Sequence, residues 1–104
     1  MKTKSFQKYL EKRLNKAEIA EIEEQAELEI NNLRYIQKSI SNAMDDYMKK
    51  NDIGFNELVR RLASSPAHVA KIRRGEANLT LSTVAHIFAL LGKEPQEVFI
   101  RNKK

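Results

Sequence analysis

The chain has no cysteine, and only three glycines and two prolines. Without thiols there are no disulfides and no thiolate metal sites, which fits a reducing compartment. With so little Gly and Pro, turns are rare and helical runs can be long. No apolar run approaches the ~20 residues that a membrane span needs. None follows the basic N-terminus as a signal peptide would require. The expectation is a soluble, cytoplasmic protein with no membrane association, and 104 residues suit one compact domain with an appendage.

Charge of one sign is missing locally, in two places. Residues 60–74 hold Arg60, Arg61, Lys71, Arg73 and Arg74 and no acid. Residues 17–33 hold Glu18, Glu21, Glu23, Glu24, Glu27 and Glu29 and no Lys or Arg. The net charge of +5 resides entirely in residues 38–104, because residues 1–37 are neutral overall. One part of the chain therefore suits a polyanion, and one helix-length suits a cationic surface.

Apolar residues recur at helical spacing almost throughout, so the fold class is expected to be all-α. A short helix is expected over residues 6–14. The run "NKAE" reads as a capping box, with Asn15 and Glu18 reaching for each other's backbone N–H. A periodic stretch follows from Ile19 to Tyr47, as one helix to about Lys50 or as two breaking near residues 37–41. Gly54 is expected to follow its end. Phe55, Leu58, Val59 and Leu62 form the apolar face of the next helix, and "ASSP" breaks it. Ser65 can cap a further helix with Pro66 at its first position, where a missing N–H costs nothing. Gly75 stops that helix. Thr80 caps another, with Leu81, Val84, Ala85, Phe88 and Leu91 inward and Gly92 past its end. "EPQEVFI" makes a last short helix, with Val98 and Phe99 packing back, and "RNKK" is expected to fray.

Two short helices joined by a tight turn, the second of them basic, describe a helix-turn-helix. The spacing from Phe55 to Gly75, followed by "NLTLSTVAHIFALLG", resembles the XRE/Cro-like (lambda-repressor-like) helix-turn-helix family. Residues 5–37, with "YLEKRLNKAEIAEIEEQAELEI", resemble the N-terminal extension of HigA-like antitoxins from type II toxin–antitoxin modules. The resemblance implies a five-helix DNA-binding domain over residues 38–104 and an N-terminal helical interaction arm over residues 1–37. Three positions depart from the family pattern. Phe55 stands where Gln is common, Val59 where a small Ala is common, and Ala63 where the turn usually has Gly. A left-handed conformation at Ala63 would cost ~1 kcal/mol that Gly avoids.

Val69 and Ile72 should face the core, leaving Ala67, Lys71 and Arg74 outward, with His68 at the edge. Lys71 suits guanine O6 or N7, Ala67 a thymine methyl, and His68 a purine N7 or a phosphate. Ser65, Pro66 and the free N–H groups of the helix start suit a phosphate oxygen. Arg60, Arg73, Arg74 and Asn78 suit backbone positioning. The bland alternative is a solvated cationic face. In the arm, Ile19, Ile22, Ala26, Ile30 and Leu33 form an apolar stripe beside Glu23 and Glu27. That stripe is either an internal or dimer seam, or a surface for a basic protein. A RelE/HigB-like RNase toxin is the partner the resemblance implies.

His68 and His86 lie eighteen residues apart with no ligand set beside them, so no metal is expected. No nucleophile pattern, phosphate loop or paired carboxylates argues for catalysis, and no cofactor is expected. His86 reads as a surface residue. The expected function is a homodimeric repressor that binds a palindromic operator in double-stranded DNA, neutralises a toxin and autoregulates its operon. Two alternatives stand beside it. One is a phage-type or general regulator whose arm serves dimerisation. The other is an adaptor with an acidic protein-binding helix.

Overall fold

The structure is a computed structural model that describes residues 15–99. The helix expected over residues 6–14 and the tail "RNKK" lie outside the described residues. Those residues form five helices and no strand: α1 (Lys16–Asn51), α2 (Phe55–Leu62), α3 (Pro66–Arg73), α4 (Leu81–Leu91) and α5 (Pro95–Phe99). The chain divides into two units between Leu33 and Arg34, four residues before the expected boundary after residue 37.

The first unit carries the start of α1. Asn15 and Glu18 form the capping box in full: Asn15 N–H donates to Glu18 Oε1 at 3.0 Å, and Glu18 N–H donates to Asn15 Oδ1 at 2.8 Å. Two otherwise unsatisfied N–H groups are thereby paired at the helix start.

The second unit holds the core. Ile40, Ala43 and Met44 of α1 are buried with Leu58 and Leu62 of α2, Val69 and Ile72 of α3, and Ile87 and Phe88 of α4. α2 packs on both α3 and α4. Removing a side chain as enclosed as Leu58 or Val69 would cost about 2–5 kcal/mol, because the cavity cannot fully collapse. α5 closes the unit with buried Val98, while the Phe99 ring lies 5.6 Å from Phe88 at 58°.

No break occurs near residues 37–41. The polar residues there are not a helix end but a docking edge. Gln37 donates its amide to the Ala77 carbonyl at 2.8 Å, Ser41 donates to the Arg73 carbonyl, and the Tyr35 hydroxyl donates to the Phe99 carbonyl. All three donate to carbonyls at or just after the C-terminal end of a helix, so polarity here marks packing.

The helix stops also differ in detail. α1 ends at Asn51 with Gly54 soon after, as expected, and Asp52 takes the left-handed region at φ 54°, with Ile53 N–H returning to Met48 O. Asp tolerates that conformation through its short polar side chain, and Gly54 instead opens α2 in extended geometry. Ala63 takes the left-handed position in the turn after α2, at φ 53° and ψ 44°. The turn therefore keeps the geometry a Gly would give, at the cost of a Cβ clash. In α4 the inward residues are Val84, Ile87, Phe88 and Leu91, whereas Leu81 and Ala85, expected inward, are exposed. They lie on the side of the helix away from the buried stripe.

Candidate nucleic-acid interface

α3 is held by its apolar residues and presents its polar ones. Val69 and Ile72 are buried, while Ala67, Lys71 and Arg74 are exposed and His68 is half-buried. Ser65, in extended geometry, caps the helix by accepting the His68 N–H at 3.1 Å, and Pro66 follows at the first position. Between them, the Ala67 N–H has no partner among the described residues and points out of an exposed helix start, as an anion contact requires. Ser65, Pro66, Ala67, His68 and Lys71 are thus gathered on one exposed end and flank of one helix.

The five cations are less bare than their run in the sequence suggests. Arg60 grips Glu57 side-on, with Nε to Oε1 at 3.0 Å and Nη2 to Oε2 at 2.5 Å. Arg61 donates to the same carboxylate at 2.8 Å and to the Tyr47 hydroxyl at 2.9 Å, over the Tyr47 ring. Bonds from Arg60 first, then Arg61, pull the Glu57 carboxyl from its ordinary 4.5 to about 2. The same bonds push both guanidiniums upward. Glu57 therefore stays ionised through any physiological pH, so no protonation of its carboxylate loosens the clamp in that range.

Arg73 reaches Asp45 of α1 at 3.3 Å, and its Nε is buried without a hydrogen bond among the described residues. Arg74 pairs with Glu76 at 3.1 Å. Four of the five cations thus meet three acids drawn from outside their own run, and among the described residues Lys71 is the one of the five left without an ion pair. Asn78 is exposed in the loop before α4. Glu57 was missed in the sequence reading. It sits three residues ahead of the basic run, and its i+3 and i+4 spacing to two arginines was the available signal.

His86 is exposed, as expected of a surface residue, and its ring is also held. Its ring Nε2 lies 3.0 Å from the Leu62 carbonyl, which can only accept, so Nε2 carries the proton. It shares a groove of about 380 Å³ with His68, Ser64, Thr83 and the apolar Leu62 and Ile72. His86 thus ties α4 to the last turn of α2, immediately before the turn into α3.

The expected partner-binding residues lie on the first unit. Ile19, Ile22 and Ala26 are half-buried, whereas Glu23, Glu27, Ile30 and Leu33 are exposed. Ile30 is 50% and Leu33 41% exposed, and Leu28, absent from the expected stripe, is 56% exposed. Leu28 sits off the three-to-four spacing used to find the stripe. A groove of about 570 Å³ runs between it, Ile22 and the acidic Glu18, Glu21 and Glu24.

Among the described residues no group of three or more His, Cys, Asp or Glu is placed to hold a metal, and no helix is long and apolar enough to cross a membrane. No curated protein and no solved structure matches the chain. Residues 43–104, more than half of its length, match the Cro/C1-type HTH DNA-binding domain. That match covers α2, the Ala63–Ser65 turn, α3 and everything after it. The chain belongs to the Cro/C1-type helix-turn-helix DNA-binding family, and it is a DNA-binding transcription regulator.

Proposed function

We propose that the chain is a cytoplasmic antitoxin and autorepressor. A dimer of the helix-turn-helix unit occupies a palindromic operator, and the N-terminal arm covers a basic RNase-type toxin. The mechanism is occlusion at both surfaces, without chemistry. On DNA, the Ala67–Lys71–Arg74 face would enter the major groove, with Ser65, Pro66, His68 and the Ala67 N–H near its mouth. Arg60, Arg73, Arg74 and Asn78 would set the register against phosphates.

One observation carries the antitoxin part: Leu28, Ile30 and Leu33 are exposed within a stretch that has six glutamates and no cation. An apolar stripe edged by one sign of charge fits a partner of the opposite sign better than a copy of itself. Co-expression with the product of the adjacent gene tests this. A short basic protein should co-purify with the full chain and be lost when residues 1–33 are removed. A regulator without a toxin partner would yield no such protein, while still binding its operator in a salt-dependent way.

A further inference from the structure

We propose that Glu57 is a specificity-determining positioning residue: it aims Arg60 in one direction, and so sharpens the distinction between operator and other DNA at the expense of affinity for DNA as a whole. The inference rests on the placement of Arg60 against a phosphate in the proposed function. Glu57 is the sole acid between Asp52 and Glu76, a span that holds all of α2, the turn and α3. In a helix-turn-helix the first helix crosses the phosphate backbone, and here that helix is α2. A carboxylate on it repels the phosphates of every duplex alike. Affinity therefore gives no reason for an acid at this place.

Geometry gives one. Glu57 Oε2 accepts from Arg60 Nη2 at 2.5 Å and from Arg61 Nε at 2.8 Å, while Oε1 accepts from Arg60 Nε at 3.0 Å. Arg61 is itself held by α1. Its Nη1 donates to the Tyr47 hydroxyl at 2.9 Å, and its guanidinium carbon lies 5.9 Å from the centre of the Tyr47 ring. Tyr47 packs against the core. A relay from Tyr47 through Arg61 and Glu57 to Arg60 thus runs from the edge of the core to solvent. The side chains of Arg61 and Glu57 are each 31% exposed and that of Arg60 is 73% exposed. Arg60 takes both carboxylate oxygens side-on, which fixes the plane of its guanidinium.

A fixed direction acts differently on two kinds of DNA. On the operator, base contacts from α3 fix where each phosphate lies relative to the protein. An Arg60 already aimed at its phosphate loses little rotamer freedom on contact. On other DNA the chain is held mainly by charge and takes many orientations. A freely turning Arg60 would find a phosphate in most of them, and an aimed one in few. Restraint therefore weakens binding to other DNA more than binding to the operator.

The full-length chain tests this on two duplexes: the one it enriches from a random pool, and a shuffled duplex of the same composition. Glu57→Gln keeps the size of the side chain and removes its charge. It should bind the shuffled duplex more tightly, with a salt slope steeper by about one unit. The ratio of the two affinities should fall by roughly two- to fivefold, the size of one exposed ion pair. The lost charge acts on both duplexes and cancels in that ratio. Glu57→Asp keeps the charge and withdraws the carboxylate by one methylene, and it should lower the ratio as well. Added to Arg60→Ala, Glu57→Gln should leave the ratio where Arg60→Ala alone put it, as residues acting through one contact require. A ratio unchanged in Glu57→Gln, a ratio kept in Glu57→Asp, or the same fall with and without Arg60 each overturns the proposal and leaves the phosphate placement standing. Arg60→Ala binding both duplexes as the wild type does would instead bring down that placement, and this inference with it.

Discussion

At the scale of single residues, Lys71 and Arg60 differ in kind. Lys71 is exposed on α3 and has no ion pair among the described residues, so its three donors are free for a base edge. Arg60 is committed through two of its nitrogens to Glu57, which fixes its direction and leaves Nη1 for a phosphate. Lys71→Ala should weaken operator binding by about 1–3 kcal/mol and relax preference at one base pair. Arg60→Ala should weaken binding to every sequence and make the salt slope shallower by about one unit. Titrations on operator and random duplexes over a salt series separate the two. Unchanged affinity and preference in Lys71→Ala would remove it from the reading face. Ala63 gives a test of stability. Its left-handed backbone costs about 1–2 kcal/mol, and a glycine there would lose roughly 0.4–1 kcal/mol through the freer unfolded chain. Ala63→Gly should therefore stabilise the fold by about 0.5–1 kcal/mol, seen as a Tm several degrees higher. An unchanged or lower Tm would show that the Ala63 side chain offsets its own strain.

At the scale of elements, α1 shows how far periodicity can be read. The stripe from Ile40 to Met44 was legible because apolar spacing reports which face meets the core. Capping at Asn15, Ser65 and Thr80 was legible for a similar reason: a short polar side chain before a helical run has one local use. The role of Gln37 and Ser41 was not legible, since their acceptors lie 40 and 32 residues away. A polar residue with a distant carbonyl looks, in sequence, like one that ends a helix. Leu81 and Ala85 misled in the opposite way, because apolar character says that a residue would leave water, not which neighbour it leaves water for. In the site, the cap, the turn and the outward face of α3 were readable, while the acids holding the arginines came from α1, the start of α2 and the loop after α3. It follows that a fragment starting at Arg34 should fold with a cooperative melt, because it keeps Tyr35, Gln37 and Ser41. One starting at Asn42 loses all three donors and also Ile40. It should melt without a clear transition, as circular dichroism against temperature would show. Equal melts for the two would mean that the donors on α1 contribute nothing to holding α3 and α5.

At the scale of the whole chain, two surfaces carry different physics, and the arm can be dissected into an apolar and an acidic part. Ile30 is half-exposed, so Ile30→Asp leaves the unbound fold intact. In a complex that buries it, the new carboxylate must be desolvated without a partner, at a cost of several kcal/mol, roughly 2–7 for a polar group left unpaired and more for a charge. That loss appears mainly as faster dissociation, because short-range packing forms only after encounter. Glu23 and Glu27 are exposed and act at longer range. Glu23→Lys with Glu27→Lys should slow association with a basic partner, most visibly at low salt, where the Debye length is longest. Neither change touches α3, so operator affinity and the proposed dimer should survive both. A dimer seam on the arm predicts the reverse: Ile30→Asp would give a monomer that no longer holds two half-sites, with no partner present. Kinetics against the co-purified partner, beside sedimentation of the free variants, separates the outcomes. A monomeric Ile30→Asp with weakened operator binding would assign the stripe to self-association, and the acidic face would then lose its reason for facing a second protein.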